Sequence, residues 1–370
     1  MKKIISIALA LLMVAVMLPV MAMAAGTTLQ SRIDAGETTI TLTENVTESI
    51  TIPAGKTVTL NLNGNTLTNE ADKDTITVAL GGTLTIEGTG TVDNVSHGRA
   101  AVYNNGTVTI NGGTYTRSAE KGTGKDPDSN NGNSWYTICN HGVMTVNAGV
   151  TVTNTGTFSS VFENGYQSYT GNNERSNYVA GTNNAAPALT INGGTFEGGK
   201  ITIKNDDGGI LKIGGGRFTN KGNRVVFNAN KAEINGGEFY CPATYFGNEI
   251  AVDTLYADGG QNAGQLTITG GTFDGKVTQS NGAATTVSGG TFKKGVDKSY
   301  IVDGKKLDAN GNVVPESITI IVPSEGGNTT TTPSTDNTKN PGTGANDFVG
   351  VAAAMAVVSL LGAAAVIRKK

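Results

Sequence analysis

The eight residues Leu189–Phe196, LTINGGTF, constrain this chain more than any other stretch, because the chain writes them repeatedly. Close copies are VTINGGTY (Val108–Tyr115), LKIGGGRF (Leu211–Phe218), AEINGGEF (Ala232–Phe239), LTITGGTF (Leu266–Phe273) and TTVSGGTF (Thr285–Phe292). Each reads as a short strand of alternating apolar residues, a Gly-Gly corner and an aromatic. No tight turn reverses the chain between copies, so each copy is one rung of a solenoid. The first glycines of successive doublets, Gly193, Gly214, Gly236, Gly270 and Gly289, are spaced by 21, 22, 34 and 19 residues. About twenty residues therefore make one turn, and the excess marks an insertion. Larger insertions are read at Thr116–Ser134, Tyr166–Ala186 and Tyr240–Asn262.

From Ala100 onward each rung carries a further strand ahead of the Gly-Gly strand. AAVYNNG (Ala100–Gly106), YTICNHG (Tyr136–Gly142), SVFENG (Ser160–Gly165), TIKNDDG (Thr202–Gly208) and VVFNANK (Val225–Lys231) align. The register turns Val102, Ile138, Phe162, Ile203 and Val226 to one side, with Asn104, Asn140, Asn164, Asn205 and Asn228 two residues later. Stacked at the strand spacing of ~4.8 Å, these amides can bond along a column. Tyr115, Phe196, Phe218, Phe239, Phe273 and Phe292 form a second, aromatic column. The segment Thr27–Asp34 reads as a helix covering the first rung, with Leu29 and Ile33 on one face. Strands are read at Thr39–Thr43, Ser49–Ile52, Thr57–Leu62 and Thr75–Leu80. A hairpin through Asp308–Asn312 and a last strand, Ser317–Val322, close the other end.

The repeat form resembles the pectate-lyase-like superfamily of parallel β-helices over about Thr39 to Gly295. The fold class that follows is all-β: a right-handed, single-stranded parallel β-helix of about nine or ten rungs, with an N-terminal capping helix and hydrophobic helices at both termini. The handedness is also what parallel crossovers favour in general. The expected organisation is a signal peptide (1–24), an N-terminal cap (25–38), the β-helix (39–295), a C-terminal cap (296–322), a linker (323–339) and a sorting signal (340–370).

Both ends read as addresses. Lys2 and Lys3, an apolar run from Ile4 to Val20 and Ala22-Met23-Ala24 make a secretory signal with cleavage after Ala24. At the other end Asn340-Pro341-Gly342-Thr343-Gly344 precedes an apolar run, Phe348–Ile367, and Arg368-Lys369-Lys370. A helix of that length spans a bilayer core, and the basic end stays cytoplasmic. This pattern resembles the sorting signal of Gram-positive surface proteins, with Asn340, Pro341, Thr343 and Gly344 as the processed motif. The resemblance implies that a sortase cuts after Thr343 and joins the chain to peptidoglycan, the helix holding it in the membrane until then. Asn340 stands where that family most often has Leu. A tail anchor that is never cut is the alternative. The segment Pro323–Lys339 has too few apolar residues for a core and reads as a linker.

The formal net charge of −3 gives no reason to expect a nucleic-acid partner. Enzymes of the resembled superfamily carry charged clusters on an outer strand face, and glycoside hydrolysis needs paired carboxylates. The candidate catalytic set here is Asp206 and Asp207 with Arg217 and Arg224. Solvated turn chemistry is the favoured account of the Asp pair. His97 and His141 are the only histidines, with no Cys or His partner at the spacing zinc sites use, so no zinc site is expected. His141 is read as a corner residue tolerant of left-handed backbone. Asp126, Asp128 and Asn130 alternate as calcium ligands do but lack the rest of that pattern; a polar loop is the preferred account. No cofactor is expected. Cys139 reads as outward-facing and Cys241 as several rungs away, so both are expected to be free thiols.

Aromatic residues gather in and around the insertions: Trp135, Tyr166, Tyr169, Tyr178, Tyr240, Tyr245 and Tyr256. Among Asn and Thr donors they suit sugar rings, and loops on a rigid scaffold are where binding residues collect. The competing account has them fold down and seal their own loops. The function read from the sequence is a monomeric, non-catalytic surface protein that binds glycans or host ligands. A polysaccharide lyase or hydrolase is the alternative.

Overall fold

Strict alternation along each short strand leaves one face apolar, and only stacking against the next rung can bury it. The computed structural model describes residues 27–119, 136–154, 160–166, 168–169, 172–173, 187–242, 247, 249–255, 263–280 and 282–316. The chain divides into two units, residues 1–317 and 318–370, and all described residues belong to the first. That unit is the parallel β-helix the repeats call for: two sheets of ten strands and one of nine, each stacked in chain order.

One turn runs from the third sheet through the first to the second. The strands Val102–Asn104, Thr107–Ile110 and Gly113–Thr116 illustrate it. The first sheet begins at Thr39–Thr41 and ends at Ala284–Val287. The second runs from Val46–Thr47 to Thr291–Phe292, and the third from Ile50–Ile52 to Lys276–Gln279. Inside the first sheet Ile86, Ile110, Val146, Ile191 and Ile213 stand in register. All are fully buried. Burying side chains of this size stabilises by roughly 1.5–3 kcal/mol each, which is the main force holding rungs together.

Both expected ladders are present. In the amide column each Nδ2 donates to the next rung's Oδ1: Asn104 to Asn140 (2.7 Å), Asn140 to Asn164 (2.7 Å), Asn164 to Asn205 (2.7 Å) and Asn205 to Asn228 (2.8 Å). Asn228 passes its own donor to the Gln265 carbonyl. The aromatic column stacks Phe196, Phe218, Phe239, Phe273 and Phe292 with centroids 4.8–4.9 Å apart and planes within 8°. Strand spacing sets that distance and keeps the rings parallel. Tyr115 is not part of this stack, because Val152 lies between it and Phe196 in register. Its hydroxyl donates instead to the Gly112 carbonyl (3.0 Å). A second amide column, unforeseen, lines the exposed corner that follows the first sheet. There Asn192 donates to Asn147 and Asn147 to Asn111 (2.8 and 2.7 Å), the opposite direction.

The N-terminal cap is a helix, Leu29–Asp34, with Leu29 and Ile33 buried on the tube end. Thr28 caps it by accepting from the Ser31 amide, and the Glu48 carboxylate accepts from the Leu29 and Gln30 amides at 2.8 Å. The Gln30 side chain then bonds both the amide and the carbonyl of Thr51, covering the open strand edge. At the other end Lys305–Leu307 pairs antiparallel with Val313–Pro315. Their loop returns amide bonds from Val313 to Gly290 and from Phe292 to Gly311. The expected strand 317–322 and both apolar terminal segments, residues 4–20 and 348–367, lie outside the described residues. Among the described residues no helix is long and apolar enough to cross a membrane.

Candidate functional site

Two outer faces of the solenoid carry chemistry. On the second sheet, outward residues follow one another up the stack: Arg217, Glu238 and Thr272 in one row, Thr219, Tyr240 and Asp274 in the next. Beside the first row the glycine just before each outward residue adopts a positive φ, +108° at Gly194 and +112° at Gly216, where a side chain would be strained. Bare backbone thus floors an open groove of about 760 Å³, walled by Arg217, Glu238, Thr272 and Thr291. It continues into a hollow of about 240 Å³ lined by Arg217, Glu238, Tyr240, Asp274 and Lys293. Tyr240 is 42% exposed there, high for a large aromatic. Lys293 and Asp274 form an ion pair at 3.1 Å across the same hollow.

The third sheet's outer face is different. The residue just before each ladder asparagine points away from the tube: Tyr103, Cys139, Glu163, Lys204 and Phe227 stand in register, and Asp253 and Thr278 continue the row. Cys139, Glu163 and Asp253 are buried although they lie outside the tube. Cys139 Sγ donates to Glu163 Oε2 at 3.0 Å and stands 3.6 Å from His141 Nε2. The other imidazole nitrogen, Nδ1, is 3.2 Å from the Tyr103 hydroxyl. Tyr103 meets the imidazole edge-on at 5.3 Å and Tyr166 lies against it at 5.0 Å. Burial lowers the His141 pKa to about 4, so the ring is neutral near pH 7.

Further along the row Lys204 forms an ion pair with Asp206 and donates to the Tyr136 hydroxyl at 3.4 Å. Burial raises the Asp206 carboxyl above its usual range, and the Lys204 ammonium opposes that shift. Arg224 is paired with Asp253, which also accepts from Thr278 Oγ1 at 2.7 Å.

The candidate catalytic residues therefore do not form one site. Asp206 and Asp207 sit together but are 1% and 0% exposed, which corrects the solvated-turn account. The physical reason is close approach: a Cβ at Gly165 would lie 2.9 Å from both the Asp206 and Asp207 carbonyl oxygens, so the rungs pack tightly over the pair. Arg217 faces outward on the second sheet, and Arg224 belongs to the Asp253 pair. The aromatic candidates divide. Tyr166 is buried on His141, the sealing role, whereas Tyr240 is exposed in the groove. Tyr169 falls in the strand Ser168–Tyr169, paired with Asn172–Asn173. Trp135, Tyr178, Tyr245, Tyr256, Asp126, Asp128, Asn130, Asn340, Pro341, Thr343 and Gly344 lie outside the described residues.

One further expectation is corrected. His141 does not use left-handed backbone; among the described residues only Asn63 and Asp72 do so without being glycine. The corner forms because Asn140 Oδ1 accepts from the Gly142 amide (3.3 Å). Beside that corner the donor atoms of Cys139, His141 and Glu163 lie within 4.8 Å of one another, a grouping the sequence reading did not foresee. Spacing along the sequence could not bring in Glu163, which arrives from the next rung. The readable signal was the outward position before each ladder asparagine, occupied by Tyr, Cys, Glu and Lys in turn. Both cysteines are free thiols, as expected. Comparison of the chain with family models, with curated proteins and with solved structures gives no match.

Proposed function

We propose that this chain is an exported β-helix protein of the pectate-lyase-like type, held at a Gram-positive cell surface, that binds glycans without cleaving them. The observation that carries the reading is Tyr240: an exposed aromatic face in a hollow whose rim supplies Arg217, Glu238, Asp274 and Lys293. A sugar presents an apolar ring face and a rim of hydroxyls, and this hollow offers a partner for each. The groove continuing along the glycine floor gives an extended chain room beyond one ring. The alternative, bond cleavage through Asp206 and Asp207, is disfavoured by their burial, by the pairing of Arg224 with Asp253 and by the place of Arg217 on another sheet.

The proposed location rests on the terminal sequences, Met1–Ala24 and Asn340–Lys370. In that reading a sortase thiol attacks the Thr343 carbonyl, the bond to Gly344 breaks, and a peptidoglycan amine takes the acyl group. Wild-type protein would then leave cells only on wall digestion, and Thr343→Ala would shift it to the membrane fraction. Wild-type protein wholly extractable by detergent would refute the wall linkage.

A glycan array with the purified protein, followed by product analysis on each hit, tests the activity. Binding without products, lost in Tyr240→Ala and weakened in Arg217→Ala, is the expected result. Products that disappear in Asp206→Asn/Asp207→Asn would replace binding with catalysis.

A further inference from the structure

We propose that Cys139, His141 and Glu163 form a zinc-binding site on the outer face of the third sheet. The three side chains supply a sulfur, an imidazole nitrogen and a carboxylate oxygen, the donor types zinc takes in proteins. Two rungs hold them in place. Cys139 and Glu163 are direct register partners on neighbouring strands, and His141 stands at the corner two residues after Cys139. All three donor atoms fall within 4.8 Å of one another.

The sulfur–imidazole separation matches a tetrahedral ion, and the carboxylate, within 4.8 Å of both other donors, has to swing in to complete it. Bonds of ~2.3 Å to sulfur and ~2.0–2.1 Å to nitrogen, at the tetrahedral angle, put those atoms about 3.6 Å apart. Cys139 Sγ and His141 Nε2 are 3.6 Å apart. The Cys139–Glu163 separation is 3.0 Å, that of a thiol donating to a carboxylate. It needs to open by only about half an ångström for an ion of those bond lengths. On binding, the sulfur–zinc bond forms as the thiol gives up its proton to solvent.

The imidazole is oriented for the task. Its Nδ1 faces the Tyr103 hydroxyl, so an Nδ1–H donating there leaves the Nε2 lone pair turned toward Cys139. A second hydrogen bond of this kind fixes the tautomer in metal-bound histidines. Tyr103 and Tyr166 hold the ring from two sides. The same contacts argue against a nucleophilic Cys-His-Glu triad. In such a triad the carboxylate orients the imidazole, whereas here Glu163 contacts the sulfur. Cys139 is also only 1% exposed, too little for attack on a substrate. Three protein ligands leave a fourth position for a water molecule.

The test uses the purified intact chain, reduced, stripped with a chelator and then equilibrated with Zn²⁺ or Co²⁺. The expected result is one zinc ion per chain, and with Co²⁺ a thiolate-to-metal charge-transfer band. Cys139→Ser abolishes that band and Cys241→Ser keeps it. Tyr103→Phe, which leaves the three ligands intact, weakens binding by roughly 10–100-fold. Because Cys139→Ser could fail to fold, zinc-edge X-ray absorption on the wild type gives a measurement free of variants: one sulfur and at least two nitrogen or oxygen neighbours. Zinc bound without a sulfur neighbour, no stoichiometric uptake, or a cobalt spectrum unchanged in a folded Cys139→Ser would overturn the site.

Discussion

Substitution at Asn164 tests the amide ladder at its midpoint. The Asn164 amide is fully buried and makes three bonds: it accepts from Asn140 Nδ2 (2.7 Å) and donates to Asn205 Oδ1 (2.7 Å) and to the Ile210 carbonyl (3.1 Å). At about 1 kcal/mol net per bond, Asn164→Ala forfeits about 3 kcal/mol. A further 1–2 kcal/mol follows from leaving Asn205 Oδ1 buried without its donor. Asn164→Asp is the sharper probe, because it keeps the shape and the acceptor while replacing the donor with charge. A carboxylate facing Asn205 Oδ1 and the Ile210 carbonyl is relieved only by protonation, so the folded pKa rises above the unfolded value of ~3.9. The linkage sign follows. Stability is retained below the unfolded pKa and lost as pH rises through the raised folded one. Melting followed by far-UV circular dichroism should place Asn164→Asp near wild type at about pH 4 and at least ~3 kcal/mol below it near neutrality. Hydrogen exchange should locate the loss in the rungs around residues 140–205, since each rung leans only on its neighbours. A variant that melts like wild type at neutral pH, or whose deficit does not change with pH, would refute the account of the ladder.

Other perturbations read other parts of the structure. Phe218→Ala should cost about 3–5 kcal/mol by denaturant unfolding, because it opens a ring-sized gap in a continuous stack. Gly236→Ala would put a Cβ 2.3 Å from the Gly214 carbonyl oxygen and so push two rungs apart. We expect a loss of about 1–3 kcal/mol there. Gly55→Ala meets open space but carries φ +77°, and should cost only the backbone strain of about 1–2 kcal/mol. Bonds from Asn312 hold the Asp308 carboxyl below the usual carboxylate range, so its contribution is present above the unfolded pKa and lost as pH falls through the folded one. Amide exchange at Asn310 and Asn312, both of which donate to Asp308 Oδ1, should therefore accelerate in acid before the rungs around Asn164 respond.

Both columns inside the tube were legible in the sequence because stacking forces like onto like. A residue that must bond or pack against its own kind one strand away repeats at the rung period, as Asn104 through Asn228 do. Tyr115 shows the limit of that signal: it has the right place in its repeat, yet the next rung offers Val152. The outward row was harder to read because its members differ from one another. Tyr103, Cys139, Glu163 and Lys204 share a register position, not a residue type, so no repeat announces them. Their burial arises from packing outside the tube, which periodicity does not report. Tyr240 and Tyr166 were equivalent as loop aromatics; only the fold distinguishes an open hollow on the second sheet from a seat against His141.

The one-way amide ladder also has a consequence for the order in which the molecule is made. From Asn104 to Asn228 each finished rung turns an amide donor, along with an unpaired strand edge, toward the C-terminal side. On the N-terminal side Gln30 bonds the third sheet's edge at Thr51, and Leu29 and Ile33 are buried on the tube end. The inner ladder therefore favours growth toward the C-terminus, each rung supplying the surface on which the next is laid. Truncations from the C-terminus at rung boundaries should leave a protease-resistant N-terminal stack whose length follows the cut. Removing residues 27–38 should instead leave an open first edge that joins one chain to another.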